Sequence, residues 1–350
     1  MAGSRQHFIP KFLQEGFTSH SKGDSAYVWV FRSNRAPYNT NVINSGVEAK
    51  FYTQNDDSSV DEAITVAEAE FATLIQNLRS FPDGVVSDSR IPELIAHLEV
   101  RTRNLRQGFL ESGSYMVSRI LDFIGSQDAF VAFIEKRIRD DPDLLRDSCR
   151  AQSAKLGFAP ESFDHMMPYL ETLLPQVLHQ QLKPLLPKLA EQLRSSVPQM
   201  LREGAKSGHL KALKESLFPE RKVEIYRGLT YRVCDFPTPD LILGDCAVLF
   251  KTTCGHYRPF AENDGKLSAI FLPLSPNRAL IAQVEQSTTV DFHAMRLQSA
   301  RCSLEYFVSH TDSEANKVLA HEIGLDAHPL TKDQIEEILV GILKGKEAGL

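Results

Sequence analysis

Four residues carry side chains from which chemistry can be assembled: His7, Glu68, Arg101 and Asp245. An imidazole titrates near neutral pH, a carboxylate can orient it, and a guanidinium stabilises charge developing on a phosphate. Brought together, they make a minimal set for metal-independent phosphodiester cleavage. His7 would take or give the proton, an effect worth about two to four powers of ten in rate. The protein would then be a nuclease, an RNA-cutting toxin or defence effector, with RNA or DNA as substrate. The alternative is a non-catalytic binding or sensor protein in which the same residues form a buried polar network. There His7 donates to a backbone carbonyl, Glu68 and Arg101 form an ion pair fixing two helices, and Asp245 bonds local amides in a turn. Solvent access at His7 separates the two.

His7 lies in Gln6-His7-Phe8-Ile9-Pro10-Lys11-Phe12, an apolar run suited to burial. Ala26-Tyr27-Val28-Trp29-Val30-Phe31 is β-branched and aromatic, bounded by Gly23 and Asn34, and predicts a buried strand; residues 49–52 predict a short edge strand. From Ser59 the period changes. Ser59 and Glu62 have capping-box spacing, and Val60, Ile64, Ala67, Phe71, Leu74, Ile75 and Leu78 recur at helical intervals, with Glu68 bordering the stripe. A second helix is expected from Ile91 to Phe109, opened by Pro92. Arg101 falls on its apolar face, between Leu98 and Leu105, and a buried guanidinium requires a partner carboxylate. Glu68, on the preceding antiparallel helix, is the expected one. Glu93, His97 and Arg101 also share a face at intervals of four.

Helical periodicity continues over 115–139 with a break near Gly125. Residues 140–218 are rich in Leu, Gln, Lys and Pro, and Pro168, Pro175, Pro184, Pro187 and Pro198 predict short or kinked helices. Their Lys and Arg residues read as a solvated face, and 160–218 is the surface expected to dock a protein partner. Strand-like runs return at 223–226, 230–233, 241–243, 246–250, 267–272 and 278–284. Gly244 lets the chain turn sharply and present Asp245 at a strand edge. Helices are expected at 292–307, 313–323 and 331–343. The fold class is therefore α+β. A mixed sheet of N-terminal and C-terminal strands is packed by helices, with a central all-helical subdomain. The divisions are 1–139, 140–218 and 219–350.

With 350 residues, 42% of them hydrophobic and 24% charged, the chain can bury one large core or two ordinary ones. A net charge of −6 supplies no global attraction for a polyanion, so any nucleic acid must be held locally. No apolar run reaches the roughly eighteen residues of a membrane span, so no membrane partner is expected, and without an apolar export segment the expected compartment is the cytoplasm. Five cysteines without CxxC spacing fit reduced thiols. Cys246, Cys254 and His256 lack the paired spacing of a zinc site, and His321-Glu322 lacks the second histidine of a zincin helix. Neither phosphate-loop nor dinucleotide glycine pattern is present, nor a Gly-x-Ser-x-Gly elbow, so no cofactor and no metal is expected.

His7-Phe8-Ile9-Pro10, the acidic helix with Glu68, Arg101-Thr102-Arg103, Gly244-Asp245-Cys246-Ala247 and Phe271-Leu272-Pro273-Leu274-Ser275-Pro276 follow one another in an order that resembles the DUF4238 family of bacterial proteins. The resemblance covers nearly the whole chain, most loosely in the central helical segment. The family's second motif reads Arg-Thr-Pro and its third Ser-Asp-Asn-Pro; here Arg103 replaces the proline, and Gly244, Cys246 and Ala247 flank Asp245. It implies a mixed α and β fold and no assigned activity.

Overall fold

The computed structural model describes residues 5–155, 167–261, 266–284, 291–328 and 332–343. They divide into two units: Met1–Leu110 with Gly204–Leu330, and Glu111–Glu203 with Thr331–Leu350.

The first unit contains all the strands described. β1 (Arg5–His7) pairs antiparallel with β5 (Val47–Ala49), placing His7 opposite Val47. A second sheet has β2 (His20–Lys22), β3 (Ser25–Arg32), β13 (Tyr306–Ser309) and β8 (Leu243–Gly244) in that order, with β4 (Tyr38–Asn41) also on β3. The third runs β10 (Tyr257–Arg258), β9 (Leu249–Thr252), β11 (Leu267–Ser275), β12 (Arg278–Gln283), β7 (Thr230–Asp235) and β6 (Gly84–Val86). The α+β class holds, with N-terminal and C-terminal strands interleaved. The expected single mixed sheet is replaced by three sheets whose pairings are antiparallel.

After the one-turn α1 (Lys11–Gln14), two longer helices press an apolar stripe into this unit. α2 (Ser59–Ser80) buries Val60, Ile64, Phe71, Leu74, Ile75 and Leu78, the periodicity its sequence carries. Its N-cap is Ser58, whose hydroxyl donates to Glu62, rather than Ser59. α3 (Ile91–Arg101) buries Leu94, Ile95 and Leu98 but stops at Thr102, so the expected helix to Phe109 is two helices, the second being α4 (Arg103–Gly125). These stripes share a core with Phe17, Phe51, Tyr226, Phe250, Phe271 and Leu272.

Three expected elements differ. Residues 223–226 form part of a short helix, Glu220–Arg227, because Val223 and Tyr226, three apart, both turn inward. Of residues 49–52 only Ala49 is strand, as the last residue of β5, and Lys50 turns with φ 52°. The helix expected over 292–307 ends at Arg301, and Tyr306–Ser309 becomes β13, stacking Phe307 on Phe31 at 5.0 Å between ring centroids.

The second unit is helical. α4 runs into it, followed by α5 (Gln127–Asp140), α6 (Pro142–Lys155), α7 (Met167–Gln176), a π-helical stretch Val177–Leu182 and the start of α8 (Leu186–Glu215). Pro175 inside α7 removes an amide donor just before the wider π turn. α8 is 30 residues long and carries Pro198 inside, longer than the proline spacing suggests. A small core forms from Val131, Leu178 and Leu186. The helix Lys332–Leu343 joins this unit through Glu336, which accepts from Tyr115 at 2.8 Å and Arg119 at 2.5 Å. By its contacts this unit spans Glu111–Glu203 with Thr331–Leu350, while α8 itself runs on to Glu215. Thr331 and residues 160–166, part of the expected helices and docking segment, lie outside the described residues. Among the described residues no helix is long and apolar enough to cross a membrane.

Candidate functional site

Arg101 is the last residue of α3 and is only 1% exposed. A guanidinium can only donate, so each contact must be an acceptor. Its Nη1 donates to the Glu68 carboxylate and, at 3.2 Å, to His97 Nε2. Its Nε donates to the Tyr52 hydroxyl at 3.2 Å, and Nη2 donates to the backbone carbonyl of His7 at 2.5 Å. Tyr52 closes the circuit by donating to the Arg101 carbonyl at 3.1 Å. Gln6 holds the N-terminal strand on the same cluster, accepting from the Tyr52 amide at 2.6 Å and donating to Thr53 at 2.8 Å. The expected Glu68–Arg101 pair therefore forms, with 27% of the Glu68 side chain still exposed.

Because Arg101 donates to Nε2, the proton of neutral His97 sits on Nδ1. Burial, then the Arg101 charge, holds His97 well below the usual histidine range, and its ring lies 5.2 Å from Phe71 and 5.9 Å from Phe218.

His7 is half-buried, and what Arg101 grips is its carbonyl, not its imidazole. The Nδ1 atom is buried. Burial, followed by the charges of Lys11 and Arg101, lowers the imidazole to about 4, so at neutral pH the ring is uncharged.

Asp245 belongs to a different network. It too is 1% exposed, and its carboxylate accepts from the backbone amides of Leu304 (2.6 Å), Glu305 (2.8 Å) and Tyr306 (3.2 Å). Burial pushes it up to about 7, against the pull of those three amides. Gly244 makes the approach possible: a Cβ there would stand 2.4 Å from Ser303 Oγ and 2.7 Å from the Ser299 carbonyl. The carboxylate thus shapes the turn leading into β13. The structure brings His7, Glu68 and Arg101 together, while the hydrogen bonds of Asp245 all go to this turn. Arg103, two residues after Arg101, connects the two networks, its Nη1 lying 2.8 Å from Glu305 and its Nε 3.4 Å from Glu48, and the Tyr306 and Phe8 rings lie 6.4 Å apart.

Sequence reasoning missed two members of the buried polar set, Tyr52 and Glu99. Tyr52 carries no signal, since it reads as strand. His97 shares the face of Arg101, as its spacing indicates, and bonds to it. Glu99 is buried and accepts from Tyr226 OH (2.5 Å), Ala261 N (2.7 Å) and Lys222 Nζ (2.8 Å), tying α3 to the helix Glu220–Arg227. Its signal was available, because Glu99 lies four residues after buried Ile95. Among the described residues no group of three or more His, Cys, Asp or Glu is arranged to hold a metal ion.

No curated protein and no solved structure matches the chain. The family model described as protein of unknown function (DUF4238) matches residues 5–338. That span is nearly the whole chain, it includes both polar networks, and the protein belongs to the DUF4238 family.

Proposed function

We propose that the protein is a non-catalytic binding or sensor protein whose two buried polar networks hold the fold rather than perform chemistry. The observation that carries this is the enclosure of Arg101 and Asp245: each is 1% exposed and its hydrogen-bonding groups are taken up by the chain itself. A guanidinium that stabilises a transition state must reach the phosphate, and this one is spent on Glu68, His97, Tyr52 and a carbonyl. The helical unit offers the docking face, through exposed Tyr169, Leu173, Val177, Leu185 and Leu189, spaced by four or eight residues.

Metal-independent cleavage of RNA or DNA is the weaker reading. Its support is that the His7 imidazole is the least enclosed of the four groups besides Glu68, beside the positive charges of Lys11, Arg101 and Arg5. Against it, a base lowered to about 4 is poorly matched to proton transfer at neutral pH. Incubation of the purified protein with single-stranded and duplex RNA and DNA distinguishes the two. Intact substrates are expected, and cleavage that co-purifies with the protein would overturn the proposal.

A further inference from the structure

A cleft of about 390 Å³ opens in the first unit between residues 52–60 and one face of α8. Ser207, Leu210, Lys211 and Lys214 supply the helical wall, spaced i, i+3, i+4 and i+7 and so aligned on one side. Tyr52, Gln54, Asn55, Asp57 and Val60 supply the other. Tyr52, Val60 and Leu210 close its base and are themselves buried, at most 5% exposed.

The polar groups above that base are unevenly used. Asp57 is committed: it accepts from Lys214 Nζ and from the Ser59 amide at 2.9 Å, and these bonds hold its carboxyl well below the usual range. Lys211 is not committed; its side chain is 79% exposed and its ion-pair contact is Glu215 at 3.9 Å. The side chains of Gln54, Asn55 and Ser207 make no hydrogen bond to the rest of the described protein. What remains unused is therefore a set of donors around one ammonium, with two lysines against one aspartate in the lining. An ammonium is a compact point charge suited to phosphate and carboxylate oxygens, and the volume lies at the small end of ligand sites, roughly 300–1,000 Å³.

We propose that this cleft binds a small organic anion, its phosphate or carboxylate on Lys211, Ser207 and the Gln54 and Asn55 amides. The site goes beyond the reading above and stands whether or not the helical unit docks a partner. Occupancy would press on Tyr52, whose hydroxyl bridges to Arg101.

The test uses phenyl phosphate, benzoate and neutral benzamide as probes, titrated into the isotope-labelled full-length protein and followed by amide NMR shifts. Fragments of this size are expected to bind with Kd on the order of millimolar. Saturable shifts at Gln54, Asn55, Ser207 and Lys211 are expected with at least one anion, and the tighter anion assigns the headgroup. Benzamide should bind about tenfold more weakly, as should the anion to the Lys211→Gln variant, which loses one charge-assisted contact. Lys211 is exposed, so that variant keeps the fold, and Lys22→Gln on exposed β2 should leave affinity unchanged. Absence of saturable shifts at these residues, equal binding of benzamide, or equal damage from Lys22→Gln would overturn the proposal.

Discussion

Replacing Arg101 by methionine keeps a long unbranched stem and removes the charge and every donor. Glu68, with 27% of its side chain exposed, can turn to water, and Tyr52 still donates to the residue-101 carbonyl. Two acceptors are left stranded, the His7 carbonyl and His97 Nε2. Each unsatisfied buried group costs about 1–3 kcal/mol, and because the arginine stem is already buried the methionine returns only part of the about 1.5–3 kcal/mol of a full burial. The net loss is about 3 kcal/mol, at the lower end of what breaking a buried ion pair costs. For a unit of this size that corresponds to a fall in Tm of roughly 6–12 °C. Urea unfolding followed by fluorescence suits the measurement, because the one tryptophan is Trp29 on β3 of the same unit. A loss below about 1 kcal/mol would refute the reasoning, since it would mean that water already reaches these acceptors.

Asp245→Asn puts an amide nitrogen, which cannot accept, where backbone amides donate, and should cost about 2–4 kcal/mol in the same unfolding assay. Gly244→Ala drives a Cβ against the Ser299 carbonyl and should cost about 2 kcal/mol or more, read as a lower urea midpoint with unchanged slope. His209 Nε2 donates to the Val100 carbonyl at 2.8 Å, since a carbonyl can only accept, and burial lowers the ring's pKa to about 4. The folded state therefore refuses a proton that the unfolded chain takes from about pH 6.5 downward, so this histidine's contribution is present above 6.5 and lost as pH falls toward 4. The stability gap between wild type and His209→Gln should shrink by about 2 kcal/mol between about pH 7 and 4.5; a pH-independent gap contradicts the lowered pKa.

The pairing of Glu68 with Arg101 was legible because both residues lie on or beside helical stripes whose apolar members fix which way each side chain points. Strand β3 was legible for a similar reason, an unbroken β-branched and aromatic run between turn residues. The failures also have physical causes. Residues 223–226 are too few to show a period, and a short apolar run fits strand or helix until its neighbours decide. β13 was hidden because Tyr306-Phe307-Val308 continues the apolar content of the preceding helix. The partners of Asp245 are backbone amides about sixty residues away, and backbone donors leave no mark in residue type. For His7 the decisive contact is again backbone, so an imidazole drew notice while its carbonyl did the bonding.

That distinction sets up the most direct test. His7→Ala removes the imidazole and leaves the carbonyl that Arg101 grips. Wild type and variant should be compared side by side for urea midpoint and for cleavage of RNA and DNA at neutral pH. The account predicts nearly equal midpoints, with stabilities within about 1 kcal/mol of each other, and intact nucleic acid with both proteins. Cleavage by wild type that disappears in an equally stable His7→Ala variant would contradict it.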